Sequence, residues 1–162
     1  MMEKNRLRQN ARIRAGAMTN AQSAEDLRAR RRPYQLEMWR RAQAAQHTLE
    51  FQDQLRSALV ATGRCFEDFF DLGPVGTTEF FSRVPTLHVD RELLVYRDKQ
   101  WTRQVEPNDL NDLWYLVEAV PYCDVVVTEH FWRRGIREQR LDAKYGTIVL
   151  SNLNELVRVL PH

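Results

Sequence analysis

The chain has 162 residues, of which 43% are hydrophobic, and this is typical of a single domain with one buried core. No stretch approaches the roughly 18 uninterrupted apolar residues of a membrane-spanning helix, and the polar amino terminus lacks the apolar region of a secretory signal, so we expect a soluble, cytoplasmic protein. The formal net charge of +2 divides unevenly, since residues 1–41 carry eleven basic and four acidic residues and the remainder has a net charge of −5.

Residues 1–32 are predicted to form a basic, poorly ordered arm, and residues 1 to about 20 show no clear apolar periodicity. Gly16, Thr19 and Asn20 interrupt its first part, and we expect residues 1–20 to be disordered or loosely helical. A basic arm on an acidic body suits a polyanion such as RNA, because lysine and arginine neutralise phosphates, although such arms are often only solvated.

The segment 33–74 is predicted to be helical. Apolar residues recur at helical spacing from Pro33 to Gly63, which predicts one long amphipathic helix. A short aromatic helix is predicted in "FEDFFDLG". Its phenylalanines are most simply core-filling residues. The cysteines at positions 65 and 123 match neither a disulfide framework nor a paired C-x-x-C zinc site, and we expect both to be reduced and buried.

The segment 75–162 begins with two further candidate elements. "TTEFFSRV" predicts a helix that Thr77 or Thr78 caps and Pro85 limits. "PTLHVDRELLVYRDKQW" is compatible with either a helix or a strand. "EPNDLNDLWYLVEAV" then predicts a helix that Asn108 or Glu106 caps and Pro121 ends.

The rest of the chain alternates strands and helices. The pattern predicts a strand over 124–128, a helix over 129–141, a second strand over 147–150 and a last helix over 152–160. This order is typical of an α/β layer with a parallel sheet.

Acidic residues gather where these predicted elements would meet. Ligands of open parallel sheets bind at the carboxyl ends of the strands, which is the position of Glu129. Asp109 and Asp112 lie on one face of the preceding helix, and right-handed crossover geometry allows Asp112 to approach Glu129. Such carboxylates suit Mg²⁺ or Mn²⁺, and the cation could activate water for phosphodiester hydrolysis. The same acids would also stabilise helix amino termini without any metal.

Two neighbouring positions are assigned different roles. Asp124, at the other end of the predicted strand, would lie about 13 Å from Glu129, too far to share a metal, and we expect it to bond between loop and strand. His130 is a candidate substrate contact because it follows Glu129.

A basic stripe is predicted on the helix that leaves Glu129. Arginines recur at intervals of four and three residues, which places them on one face of the helix; they are Arg133, Arg137 and Arg140. This face could hold phosphates, or it could be merely solvated. Trp132 and Ile136 are predicted to face the core.

Two stretches resemble PIN-like domains, a nuclease superfamily with a metal site of clustered acids at the edge of a parallel sheet. They are "NDLNDLWYLVEAVPYCDVVVTEHFW" and "LDAKYGTIVLSNLNELVRVL", and the resemblance covers roughly residues 75–160. In the family pattern an Asp opens a helix, and the next strand ends in a Thr followed closely by an acid, as in "VVVTEHF". "PYCD" resembles a bacterial subgroup.

The resemblance implies an RNA-hydrolysing activity that depends on carboxylate-bound Mg²⁺ or Mn²⁺. Asp112 matches the helix-opening acid, with Asp109 as the close alternative, and Glu129 matches the acid at the strand end. Thr128 matches the threonine that lines the family site. Together with His130, Arg133 and Arg137 on the substrate side, these residues form the predicted site.

The chain departs from the family pattern in its first half. PIN-like domains begin with a strand that carries an essential Asp and continue with a helix that carries another acid, whereas nothing in residues 1–74 predicts that strand. We therefore expect a small, incomplete PIN-like α/β unit that binds metal weakly or not at all. Two hypotheses remain: a PIN-like metal-dependent ribonuclease or a truncated derivative of one, and a catalytically inactive interaction module that docks through the helix at 33–63.

Overall fold

The fold is given by a computed structural model that describes residues 16, 18–30, 35–157 and 159. A first helix, α1, covers residues 18–30. The following elements are α2 (Leu36–Glu50), α3 (Gln52–Ala61), α4 (Glu67–Phe70), α5 (Gly73–Ser82), α6 (Pro85–Lys99), α7 (Asp109–Tyr122), β1 (Val125–Val127), α8 (His130–Glu138), α9 (Leu141–Tyr145), β2 (Ile148–Leu150) and α10 (Leu153–Leu156). Within these residues no helix is both long and apolar enough to cross a membrane.

The long helix expected from 33 to 63 is divided at Phe51. The Phe51 backbone has φ −106° and ψ 19°, outside helical values, and separates α2 from α3. The helical hydrogen bonds nevertheless continue across this residue. Phe51 N donates to the His47 carbonyl, and the Phe51 carbonyl accepts from Leu55 N. The two helices therefore meet at a kink. Pro33, the expected start, lies outside the described residues.

Helix α5 begins earlier than the sequence pattern indicates. It starts at Gly73 with Pro74 in its first turn, so Thr77 and Thr78 lie inside the helix and cap nothing. The Thr78 hydroxyl instead donates to the Pro74 carbonyl. Pro74 sets the helix start because its missing N–H is among those that a first turn leaves unbonded in any case.

For three more elements the structure decides or changes the sequence prediction. The ambiguous segment after α5 is a helix, α6. Helix α7 continues through Pro121 to its last residue, Tyr122, since a proline in the last turn removes only one intrahelical bond. The helix expected over 129–141 is split, because Arg140 adopts a left-handed conformation with φ 56° between α8 and α9.

The core lies between α6, α7, α8 and the sheet. Trp132 and Ile136 on α8 are fully buried, which agrees with the predicted inward face of this helix. Gly135, beside them, lets α8 approach α6, because a Cβ at this position would meet Tyr96 ring carbons at 2.5 and 2.8 Å. The main cluster comprises Val89, Leu93, Leu113, Leu116, Val120, Val126, Trp132, Ile136, Leu141 and Val149.

The two strands are parallel and adjacent, as the sequence pattern predicts. Val125 pairs with Ile148, Val126 with Val149, and Val127 with Leu150. The structure thus confirms a mixed fold of helices with a small parallel sheet.

The sheet is covered unevenly. Val126 and Val149 point into the helical core. On the opposite face, Val127 is 38% exposed and Ile148 is 45% exposed. Parallel sheets are normally covered on both faces.

Helix α1 is tied to the loop that precedes α7. The Glu25 carboxylate accepts from Val105 N at 2.6 Å, and the Arg28 guanidinium donates to the Arg103 carbonyl at 2.6 Å. Ala21 and Ala24 pack on Val105. These contacts hold the loop near the amino end of α7, where the candidate site begins.

Candidate functional site

A groove of about 510 Å³, here called the acidic groove, lies between α7 and the carboxyl end of β1. Its acids are Asp112, from the first turn of α7, and Glu129, which directly follows the strand and precedes α8. The structure thus places Asp112, Thr128 and Glu129 in the lining of one cavity. The full lining is Asp112, Tyr115, Leu116, Ala119, Val126, Val127, Thr128, Glu129 and Ser151.

Burial and neighbouring charges both act on the Asp112 carboxylate. Burial raises its pKa above the ordinary value, and the negative charges of Asp109 and Glu106 act in the same direction. The Trp132 indole and the positive charge of Arg103 lower the pKa and offset part of this rise, although no described residue accepts from the buried Trp132 Nε1 in full hydrogen-bonding geometry. An added cation in this groove would therefore relieve an unfavourable negative potential.

Asp109 lies outside the groove lining and is engaged elsewhere. Its side chain is almost fully buried, and its two oxygens accept from Arg103 Nη1 at 2.6 Å and Nη2 at 2.7 Å. One of them also accepts from Glu106 N at 2.8 Å. Asp109 therefore closes the turn before α7, the role expected of Asn108 or Glu106, and the structure does not bring it to Asp112 and Glu129 as a third free carboxylate.

Arg103 is a residue of this region that the sequence pattern did not single out. Its guanidinium carbon lies 3.8 Å from the centroid of the Phe131 ring. Hydrogen bonding to Asp109 raises the pKa of Arg103, and the charge of Glu129 contributes to the same rise. Arg103 follows α6 in an irregular segment, where no periodicity relates it to α7 or α8.

The donor set of the groove suits a weakly held hard cation. Two carboxylates and the hydroxyls of Thr128 and Ser151 line it, and Mg²⁺ and Mn²⁺ accept such oxygen ligands together with several waters. Within the part of the chain that the structure describes, no group of three or more His, Cys, Asp or Glu side chains is placed to hold a metal ion. The groove itself offers two carboxylates, those of Asp112 and Glu129.

The principle that ligands bind at the carboxyl ends of parallel strands, which singled out Glu129, also predicts Ser151 as a site residue. It directly follows β2, so it lies at the same edge of the parallel sheet as Thr128, which follows β1. Its hydroxyl donates to Glu155 at 2.9 Å and accepts from Arg133 NH1 at 2.8 Å.

A second groove of about 420 Å³, the basic groove, runs along α8. It is lined by His130, Arg133, Arg134, Arg137 and Glu138. The structure thus brings together the predicted substrate residues on this helix. Arg140 follows the end of α8 and does not extend the stripe.

The arginines of the basic groove are partly engaged within the chain. Arg133 bonds to Ser151 as described and lies 3.5 Å from a Glu155 oxygen, while Arg137 donates to the Val149 carbonyl at 3.4 Å. Arg134 pairs with Glu138 at 2.6 Å. Arg133 therefore connects the basic groove to Ser151 in the acidic groove.

Asp124 lies at the opposite end of β1 from Glu129. Its carbonyl accepts from Ile148 N at 2.8 Å, so it joins the loop to the sheet as expected. Its side chain is exposed and lies outside the acidic groove, like Cys123 beside it. Cys65 is also exposed, whereas both thiols were expected to be buried.

Comparisons of the chain with protein families, with curated proteins and with solved structures find no match. These comparisons therefore identify no PIN-like domain in the chain.

Proposed function

We propose that the acidic groove is the metal site of a PIN-like ribonuclease, or of a truncated derivative of one, that hydrolyses RNA phosphodiesters with Mg²⁺ or Mn²⁺. The observation that carries the proposal is the placement of Asp112 and Glu129 in one groove at the carboxyl end of a parallel strand. Two carboxylates that approach the same cavity repel each other, and a divalent cation offsets that repulsion.

Each residue of the two grooves has a role in this proposal. Asp112 and Glu129 would hold the cation, with Asp109 shaping the turn before α7 through Arg103. Thr128 and Ser151 would contribute hydroxyls to the water shell. When bound, the cation would lower the pKa of a water molecule and stabilise negative charge on the phosphate.

The basic groove supplies the side that would bind the RNA backbone. His130, Arg133 and Arg137 follow the acidic groove along α8, so phosphates next to a cleaved bond could lie against them. Since such contacts release counterions, RNA affinity should fall steeply with salt concentration.

A labelled single-stranded RNA incubated with Mn²⁺ tests the activity. We expect slow cleavage that a chelator abolishes, because the described residues provide two of the carboxylates that a complete site would use. Asp112→Asn and Glu129→Gln should each reduce the rate by about tenfold or more, the scale of a lost metal ligand or charge-assisted contact.

Asp124→Asn is the matched control, because it removes an exposed carboxylate at the other end of the same strand. It should cleave at the native rate. A native chain that leaves RNA intact with Mn²⁺, or cleavage that persists unchanged in both groove variants, would contradict the catalytic assignment.

The second candidate is a non-catalytic interaction module that docks through α2 and α3. An apolar cavity of about 380 Å³ between α2, α4 and α5 favours it. Leu49 and Phe70, which line this cavity, are 75% and 61% exposed. In addition, α3 contains no buried residue. This candidate predicts that Mn²⁺ changes neither RNA nor the stability of the chain, so the same experiment separates the two.

A further inference from the structure

The outer edge of β1 has free backbone groups. Thr128 N donates to the Leu150 carbonyl, and Ile148 N donates to the Asp124 carbonyl. In a parallel ladder the residues that bond to the neighbouring strand alternate, so Asp124, Val126 and Thr128 face β2. The N–H and C=O groups of Val125 and Val127 therefore point away from β2. No described residue bonds to them.

The outer edge of β2 is different. On this edge Arg137 of α8 donates to the Val149 carbonyl, and α8 packs along the strand. The sheet therefore has one edge that is covered by a helix and one edge, that of β1, that opens into the acidic groove.

The surroundings of the β1 edge suit an extended segment. Tyr115 and Ala119 on α7 lie one turn apart and form the wall that faces Val126 and Val127. Tyr115 is 77% exposed. An inserted strand would bury these apolar groups and would bond to the backbone of Val125 and Val127, which is the usual mode of strand addition at a sheet edge.

We propose that the free edge of β1 binds an extended segment of another protein as a third strand, and that this segment carries a lysine or arginine where it passes Thr128. The backbone pattern selects a strand over a helix, because only a strand offers donors and acceptors at the spacing of Val125 and Val127. Asp112 and Glu129 line the groove near Thr128, so a positively charged side chain of the bound segment would be favoured there.

This inference does not rest on the proposed metal site, although the two would compete for Asp112 and Glu129. In a chelator the strand site would be free of cations, and millimolar Mn²⁺ would weaken the binding of a cationic segment.

Synthetic peptides test the inference in a chelating buffer by fluorescence anisotropy. The probe is a seven-residue peptide of alternating valine and threonine that ends in lysine. We expect saturable binding. Replacing the lysine by glutamate should weaken it by about tenfold, since the charge would then repel the two groove acids.

N-methylation of the peptide separates strand pairing from simple adhesion. Methyl groups on alternate amides along one edge of the peptide should abolish binding, whereas methyl groups along the other edge should leave it within about twofold, because only one edge faces β1. The protein remains native in this comparison.

Val127→Pro provides the complementary change in the protein. It removes an N–H that points away from β2, so the bonds between β1 and β2 remain, and proline is tolerated at such edge positions. We expect about tenfold weaker peptide binding, with Asp124→Asn as the control that binds like the native chain. Equal binding of both N-methylated peptides, or no binding by the native chain at millimolar peptide, would overturn the inference. Neither result bears on the proposed metal site, which the response to Mn²⁺ tests.

Discussion

Asp112 is the residue on which burial and like charge act together. Its raised pKa means that the folded chain disfavours the charged form, so the stability that this group contributes falls as pH rises through that pKa. Asp112→Asn should therefore raise the free energy of unfolding of the metal-free protein at pH 7 by a few tenths of a kcal/mol, after solvent screening. Urea denaturation measures this. A loss of about 1 kcal/mol would instead indicate that Asp112 acts only as a favourable charge at the start of α7.

His88 gives the fold a pH dependence away from the groove. Burial, and then the charge of Lys144, lowers its pKa from 6.5 to about 4. Its Nδ1 lies 2.9 Å from the Tyr145 hydroxyl and 3.2 Å from Lys144 Nζ. Since the unfolded chain binds the proton more readily, the stabilisation present above pH 6.5 should be lost as pH falls towards 4.

Melting temperatures between pH 7 and pH 4 check this expectation. His88→Asn, which keeps an acceptor near Tyr145 and does not titrate, should show a smaller loss over that range. Parallel curves for the native chain and His88→Asn would show that other groups cause the acid sensitivity.

Helix α8 depends on one glycine for its position against α6. A methyl group at Gly135 would meet buried Tyr96 at 2.5 Å, and Tyr96 is itself packed against Phe131 with ring centroids 5.1 Å apart. Gly135→Ala should therefore destabilise the chain, because an overpacking cost of about 1–3 kcal/mol exceeds the gain of about 1 kcal/mol in helix propensity.

Gly16→Ala is the matched control for this substitution. Gly16 is helical and lies just before α1, and no described residue lies within 4 Å of a Cβ built there, so only the propensity gain is expected. Urea midpoints that rise equally for both variants would mean that α8 moves freely relative to Tyr96.

The strands and the inward face of α8 were predictable because their patterns are local. A run of valines identifies β1, and the spacing of Trp132 and Ile136 identifies the buried side of α8. The pattern of α6 fits both a helix and a strand, and the kink at Phe51 interrupts an otherwise regular helical periodicity. Asp109 could not be assigned, because its partner Arg103 lies in an irregular segment whose position tertiary contacts determine.

The helices pack against the Val126 and Val149 face of the two-stranded sheet, whereas on the other face Val127 and Ile148 are partly exposed and Leu150 is buried. The acidic groove lies at the β1 edge of the sheet, and the fold places Asp112 and Glu129 in the lining of this one groove. The nearby Arg103 acts electrostatically on both acids. The basic groove lies on the following helix. The acids and the arginines of the proposed site thus line two grooves on elements that follow one another along the chain.

Binding of Mn²⁺ to the intact chain, counted by electron paramagnetic resonance of the free ion, tests the account most directly. We expect one site of millimolar affinity, because two carboxylates and water form a weak ligand set. Asp112→Asn and Glu129→Gln should each remove this site, whereas Asp124→Asn should retain it. Equal Mn²⁺ binding by the native chain and all three variants would contradict the assignment of the acidic groove as a metal site.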